Sequence, residues 1–219
     1  KKTIMMKKTL TLIVFMFSVS VFSQNFTDDN GLKQGKWEVK FDDGKTKYIG
    51  IFKDGVEQGL FKFYYNSGEI KATKEFFHKG KAAATHIFYK NGNIRASGLY
   101  LNKLKDSTWN YYNNDSILVL SEQFQSGDFH GTRKNFYETG EMYIITQWEN
   151  GVKNGKFVQY FINGEINIKA NYLRGIYDGE YTSYNTDGTI FLAGFYKKGI
   201  RKGEWKYYSN GVLDKIIHE

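Results

Sequence analysis

Apolar and small residues recur along this chain at intervals of 24 residues. With Gly35 as repeat position 0, six of the eight equivalent residues are glycine and the other two are Ala83 and Ser107. Position 5 is aromatic in seven of eight repeats, position 17 is aromatic in all seven repeats that contain it, and position 11 is mostly isoleucine, leucine or methionine. A period of this length indicates a repeat architecture with one supersecondary element per unit. We therefore predict eight repeats over 35–219, preceded by a partial repeat at 24–34.

Each repeat has the pattern of a strand, a turn, a returning strand and a second turn. In one repeat, 156–161 and 166–172 are the predicted strands, and Asn163-Gly164 lies in the loop between them, where glycine suits a left-handed backbone. A single hairpin is only marginally stable, whereas stacked hairpins bury each other's aromatic side chains. The sequence thus predicts an all-β fold: an elongated, twisted antiparallel meander, or solenoid, of about sixteen strands.

The two aromatic positions of the first strand leave one structural question open. Positions 2 and 5, such as Trp205 and Tyr208, point to opposite faces of a regular strand. Either both faces of the sheet are partly covered, or a β-bulge in each repeat resets the alternation.

Composition excludes several classes of protein. The chain has 18 Phe, 17 Tyr and 23 Gly but no Pro and no Cys. So many aromatic residues exclude a disordered chain. Without cysteine there is no disulfide framework, thiolate metal site or cysteine nucleophile.

The first 23 residues predict a targeting segment. Lys7 and Lys8 precede an apolar run of 14 residues from Thr9 to Phe22, which is shorter than the ~20 residues of a spanning helix. We predict a signal peptide over 1–23, cut before Gln24, with a single anchoring helix as the alternative. Its removal lowers the formal net charge from +8 to +4, so nucleic acid is not an expected partner. Export without cysteine fits a bacterial periplasm or the cell exterior.

Three segments carry a family resemblance. The stretch from Tyr48 to Gly59 resembles the MORN signature, Tyr-x-Gly-x-aromatic-x-x-Gly followed by x-x-x-Gly, and 148–155 and 194–203 resemble parts of it. After Gly203 the chain continues Glu-Trp-Lys-Tyr-Tyr, whereas the usual signature continues x-Gly. This departure is similar to the variant MORN repeats of exported bacterial proteins, some of which are antitoxin-like. The resemblance implies a non-enzymatic binding or scaffolding module, and some MORN proteins are linked to membranes or phospholipid. Glycine is missing at Ala83, Lys103, Ser107 and Ser116, which predicts irregular geometry near the middle.

The sequence offers little catalytic chemistry. The four histidines, His78, His86, His130 and His218, have no metal-binding spacing, and His78 and His130 fall in predicted turns. No nucleophile elbow, P-loop or dinucleotide fingerprint is present. We predict no catalytic residue, no metal site, no cofactor and no enzymatic activity. A glycosidase that uses two facing carboxylates is the alternative.

Charge separates between the two kinds of turn. The turns at positions 18–23 carry eleven basic and six acidic residues, whereas those at positions 7–10 carry two basic and eight acidic residues. In a meander these turns form opposite edges, one basic and one acidic. The densest basic cluster supplies the candidate partner-binding residues, which are Lys197, Lys198, Arg201, Lys202, Tyr196 and Trp205.

These patterns favour a binding protein. The first interpretation is a protein-binding or scaffolding module for an unknown partner with an acidic surface, which includes an antitoxin or immunity role. The alternative is a cell-envelope binder of glycan or anionic lipid. Anionic headgroups would contact the same basic turns through steering and charge-assisted hydrogen bonds, and exposed aromatic side chains would stack on sugar rings.

Overall fold

The computed structural model describes residues 24–219, and the regular structure of this part is β-strand throughout. The predicted signal peptide and its alternative, an anchoring helix, fall on 1–23 and lie outside the described residues. No helix that could cross a bilayer occurs in 24–219. The strands are β1 (Phe26–Thr27), β2 (Lys33–Lys40), β3 (Thr46–Lys53), β4 (Val56–Tyr64), β5 (Ile70–Phe77), β6 (Ala82–Phe88), β7 (Ile94–Leu101), β8 (Leu104–Tyr112), β9 (Leu118–Gln125), β10 (Asp128–Phe129), β11 (Gly131–Phe136), β12 (Met142–Glu149), β13 (Val152–Tyr160), β14 (Ile166–Leu173), β15 (Ile176–Tyr184), β16 (Ile190–Lys197), β17 (Ile200–Ser209) and β18 (Val212–His218).

The strands form one open antiparallel sheet in sequence order. Each strand from β2 to β9 pairs with its neighbours along the chain, β9 pairs with both β10 and β11, and the order continues without a crossover to β18. Sixteen strands have six to ten residues, and β1 and β10 have two. The predicted all-β meander is therefore confirmed, because short loops between 24-residue units leave only neighbouring strands within pairing distance.

The turns alternate between the two edges of the sheet. Edge A holds the turns at 54–55, 78–81, 102–103, 126–127, 150–151, 174–175 and 198–199, and edge B holds the longer turns that include 42–44 and 162–164. Most edge-A turns have two consecutive residues with positive φ, as in Asn150 (48°) and Gly151 (78°), whereas Gly164 is the left-handed residue of its edge-B turn (φ 87°). The predicted left-handed glycines are thus in place.

Valine at Gly151 or Gly199 is expected to destabilise the fold more than glycine at Ala83. Both glycines have φ near 79°, where a β-branched residue costs about 1–3 kcal/mol of unfolding free energy. Ala83 has an ordinary strand backbone opposite Phe76, so its change to glycine costs about 0.5–1 kcal/mol. Urea denaturation of Gly151→Val, Gly199→Val and Ala83→Gly measures the order, and equal midpoints for all three would contradict the turn assignment.

Strand pairing answers the question about the two aromatic positions. The consecutive residues Phe157, Val158 and Gln159 pair without interruption with Ala170, Lys169 and Ile168, so the alternation is regular from Phe157 to Tyr160. The bulge that follows lies on the partner strand, which skips one residue between Ile168 and Ile166. Both faces therefore carry aromatic side chains. We call the face that bears positions 2 and 17 the core face, because Trp109, Phe124 and the other most buried rings lie there.

The irregularity expected near the middle is confined to the third repeat. Lys103, Ser107 and Ser116 keep positive φ values of 68°, 58° and 64°, so they replace glycine without changing the backbone. Ala83 does not adopt positive φ, and β5 pairs with β6 in one continuous register. The other edge-A hairpins contain a register shift or a break at the equivalent point.

Candidate functional site

The core face is built by contacts between neighbouring repeats. A Cβ atom on Gly50, Gly98 or Gly194, at position 15, would overlap the ring of Phe61, Trp109 or Trp205, at position 2 of the following repeat. These three rings are at most 2% exposed. Glycine at position 15 therefore lets an aromatic ring lie flat on the backbone of the preceding strand, and this contact ties one hairpin to the next.

Basic side chains cover the rings of the core face. Lys105 Nζ lies 4.8 Å from the Trp109 ring centroid, and Arg201 Cζ lies 4.1 Å from that of Trp205. Both basic residues occupy position 22, and Lys33 at the same position lies 4.5 Å from Trp37. Long aliphatic stems can bury apolar surface while the charged group stays in water. This cover explains how tryptophans become fully buried in a sheet that consists of a single layer.

A charged pair interrupts the row of rings in the middle of the chain. Arg133 occupies position 2 and Glu122 occupies position 15 of the preceding repeat, and Arg133 Nε lies 3.2 Å from Glu122 Oε1. The Glu122 side chain is 7% exposed and that of Arg133 is 32% exposed. Burial raises the pKa of the nearby Tyr111 hydroxyl, and the Glu122 carboxylate raises this pKa further. The pair thus replaces an aromatic–glycine contact by an ionic one.

Side chains at position 23 connect successive edge-A turns. The backbone N–H of Asp54 donates to Gln34 Oε1 (3.0 Å), that of Ser126 to Asp106 Oδ2 (3.2 Å) and that of Lys198 to Asp178 Oδ2 (3.0 Å). Some acidic groups of this edge therefore hold the backbone of the next turn. The remaining charge of edge A is carried mainly by lysine side chains in solvent.

The structure divides the six predicted partner-binding residues between two surfaces. Tyr196, Arg201 and Trp205 belong to the core face: the Tyr196 and Trp205 ring centroids are 5.0 Å apart, and Arg201 lies above Trp205 and donates to the Tyr207 hydroxyl (3.0 Å). Trp205 is 0% exposed. It therefore supports Arg201 from below and offers no surface of its own.

The other three residues are exposed at edge A. Lys197 forms an ion pair with Asp178 (3.0 Å), and Lys202 lies opposite the exposed ring of Phe195 on the other face of the sheet. The Lys198 N–H lowers the pKa of Asp178 most strongly, and the Lys197 side chain lowers it further. Lys197, Lys198 and Lys202 are thus the members of the cluster that a partner can reach.

Sequence reasoning missed an apolar row along the same edge. Position 21, at the start of the strand after each edge-A turn, is aliphatic in six of eight repeats. Val152, Ile176 and Ile200 of this row are 44%, 47% and 62% exposed. The signal was present as a column of the 24-residue period, but it resembles an ordinary strand residue until the turn places it at the edge.

Two segments match the MORN repeat variant family, at residues 57–78 and 129–150. These two segments are repeats of the MORN type. The matches begin 72 residues apart, which is three periods of 24. They cover the β11–β12 hairpin and all but the first residue of the β4–β5 hairpin. No curated protein sequence is significantly similar to the chain. MORN repeats are commonly protein- or membrane-binding modules, and this fold is typically non-enzymatic.

The described residues contain no cluster suited to a metal ion. Within 24–219, no three or more histidine and carboxylate side chains come close enough to hold one. The chemistry that the structure does present is charge and apolar surface at edge A, and rings with basic covers on the core face.

Proposed function

We propose that this protein is an exported, non-enzymatic MORN-type repeat protein whose edge A binds an acidic surface of another protein, in a scaffolding or an antitoxin- and immunity-like role. The observation that carries the proposal is the combination of exposed lysines with exposed aliphatic residues on one edge. Lys197, Lys198 and Lys202 are exposed beside Ile200. A partner with carboxylates around an apolar centre would match this arrangement in charge and in buried area.

Regular spacing supports a partner with an extended surface. Successive edge-A turns are two strands apart, which is about 9.5 Å in a β-sheet. The hydrogen bonds from position 23 hold these turns in fixed relation. Such a preorganised edge loses little conformational entropy when it binds.

Charge reversal of Lys197, Lys198 and Lys202 to glutamate is expected to weaken capture of the partner from a cell-envelope extract. Association should slow by about tenfold at low salt and lose most of its salt dependence, because exposed charges act mainly through electrostatic steering. Arg201 stays unchanged in this variant, since it covers Trp205. The measurement is pull-down with 24–219 as bait, followed by binding kinetics with the captured protein.

A matched control removes the same net charge from another surface. Lys62, Lys134 and Lys156 are exposed on strands away from the edge-A turns, and their reversal to glutamate should leave capture unchanged. Equal loss of capture by both variants would mean that only overall charge matters. Retention on anionic vesicles or envelope glycan, with no protein captured, would favour the alternative function.

A further inference from the structure

The third repeat leaves a groove in the core face. Thr85 occupies position 2, where the neighbouring repeats have Phe61 and Trp109, and Ala83 stands next to it in place of glycine. Beside this small side chain lies a cavity of 400 Å³ between Phe76 and Tyr100, lined also by Ala82 and Ala83. The opening exists because β5 and β6 pair in continuous register with small side chains along this part of the sheet.

The groove continues into the preceding repeats. A second cavity of 530 Å³ shares Glu57 and Phe76 with the first and is lined by Tyr48, Phe52 and Phe63. Equivalent positions two repeats apart, such as Lys33 and Lys81, are separated by about 19 Å. An extended peptide covers this distance with about six residues, since it rises about 3.3 Å per residue. The groove therefore has the length and aromatic walls that suit a peptide segment.

A half-buried lysine lies inside the groove. Lys74 occupies position 15, and its Nζ lies 4.7 Å from the Tyr100 ring centroid. Its side-chain ammonium group forms no hydrogen bond or ion pair with any other residue of 24–219. Burial lowers the pKa of Lys74, while the Glu57 carboxylate opposes this change. A partly desolvated ammonium group with three unused donors is stabilised by an anionic acceptor.

The charges around Lys74 favour a carboxylate ligand. Lys81 and Lys103 line the same cavity, and Glu57 is the acidic residue among its lining groups. Three ammonium groups thus face one carboxylate. Ammonium groups beside aromatic walls suit a ligand that carries both acidic and apolar side chains.

We propose that this groove binds an extended acidic peptide segment of a partner protein. One peptide carboxylate accepts hydrogen bonds from Lys74 Nζ, and an apolar side chain two residues away, on the same side of the extended peptide, packs between Phe76 and Tyr100. Lys81 and Lys103 attract further carboxylates at the mouth of the groove. The proposal rests on the proposed function in one respect, that the ligand is a protein, but it uses a surface separate from the 197–202 cluster.

The first test uses fluorescence anisotropy with 24–219 and a labelled dodecapeptide of the repeating sequence Glu-Ser-Leu-Ser, which places glutamate and leucine on the same side of an extended chain. We expect Lys74→Gln to weaken binding by about tenfold or more, because it removes a charge-assisted hydrogen bond in a partly desolvated site. Lys153→Gln is the matched control, since Lys153 also lies over a core-face ring, 4.9 Å from that of Tyr172, but outside the groove. Equal weakening by both variants, or no binding at millimolar peptide, would overturn the proposal.

A second variant fills the groove with a contact that the protein already uses. Lys74 pairs directly with Thr85, as Thr146 does with Phe157 in a later repeat. The double variant Lys74→Thr with Thr85→Phe should fold, with a melting temperature no lower than that of the parent protein, and should lose peptide binding. Undiminished binding by this folded variant would show that the peptide binds elsewhere.

Three further outcomes distinguish peptide binding in the groove from binding of another ligand there and from binding at edge A. Binding of anionic vesicles or hyaluronate that requires Lys74, with no binding of the peptide, would assign the groove to another class of ligand and overturn the proposal. If an envelope protein is still captured by the Lys74→Gln variant but not by the variant with charge reversal at 197, 198 and 202, the result would support binding at edge A and overturn the proposal for the groove. Loss of capture with Lys74→Gln and with the groove-filling variant would support the groove.

Discussion

Substitution of Trp109 by alanine is expected to lower the free energy of unfolding by about 3–5 kcal/mol. The Trp109 indole is 1% exposed, donates Nε1–H to the Leu99 carbonyl (2.9 Å) and packs against the Tyr100 ring at 4.9 Å. Its loss leaves a cavity over Gly98 and removes the ring beneath Lys105. Urea denaturation measures the change.

The companion substitution Gly98→Val should also destabilise the fold. A valine side chain there would occupy the volume of the indole, and overpacking of this kind costs about 1–3 kcal/mol or more. The double variant should cost less than the sum of the two, because the valine fills part of the space that the indole leaves. Additive effects would contradict a direct contact between positions 15 and 2.

An exposed ring provides the control for this prediction. Phe191 is 48% exposed on a strand of the same sheet, and Phe191→Ala should change stability by less than about 1 kcal/mol. Similar losses for Phe191→Ala and Trp109→Ala would mean that the row of buried rings does not hold neighbouring repeats together.

Substitution of Glu122 by alanine has the second largest expected effect. It leaves Arg133 without its partner in a site where the carboxylate is almost fully buried. Breaking a buried pair costs about 3–5 kcal/mol, and we expect about 3 kcal/mol here because Arg133 is one-third exposed to solvent. Urea denaturation of Glu122→Ala against the parent protein measures it.

Two further variants show whether burial or charge causes the loss. The exposed pair of Lys206 and Glu204 has a similar separation of 3.3 Å, and Glu204→Ala should cost less than about 1 kcal/mol. Replacing both buried partners, Glu122→Gly with Arg133→Trp, imitates Gly98 and Trp109 and should recover the stability that the single change loses. If this double variant stays as unstable as Glu122→Ala, the pair of Glu122 and Arg133 does not pack in the same way as Gly98 and Trp109.

Much of the fold follows from local sequence. Turn glycines such as Gly151 and Gly199, and the 24-residue spacing of rings, predicted the strands, the edges and the antiparallel order. These features depend on the backbone preferences of a few consecutive residues and on the pairing of adjacent strands. The replacements Lys103, Ser107 and Ser116 did not change the backbone, because a turn fixed by its neighbours accepts a polar residue at positive φ.

The candidate surfaces were less accessible to sequence reasoning. Trp205 and Arg201 looked like exposed members of a basic cluster, but the ring is buried and the guanidinium covers it. The sequence gives no direct sign of this cover, since it depends on which side chains the bulged hairpins bring to one face. The sequence correctly predicted the exposure of Lys197, Lys198 and Lys202, because turns protrude from a sheet however its faces are packed.

The sequence by itself determined the repeat, the strand order and the separation of basic from acidic turns, because each arises within one 24-residue unit. Only the tertiary structure decided which residue of one repeat lies against which residue of the next. The contact of position 2 with position 15 explains at once the glycine under Trp109, the ion pair of Glu122 with Arg133, and the groove where Lys74 meets Thr85. These three outcomes differ because packing across strands responds to the size and charge of both partners, which a column of similar residues in the sequence does not reveal.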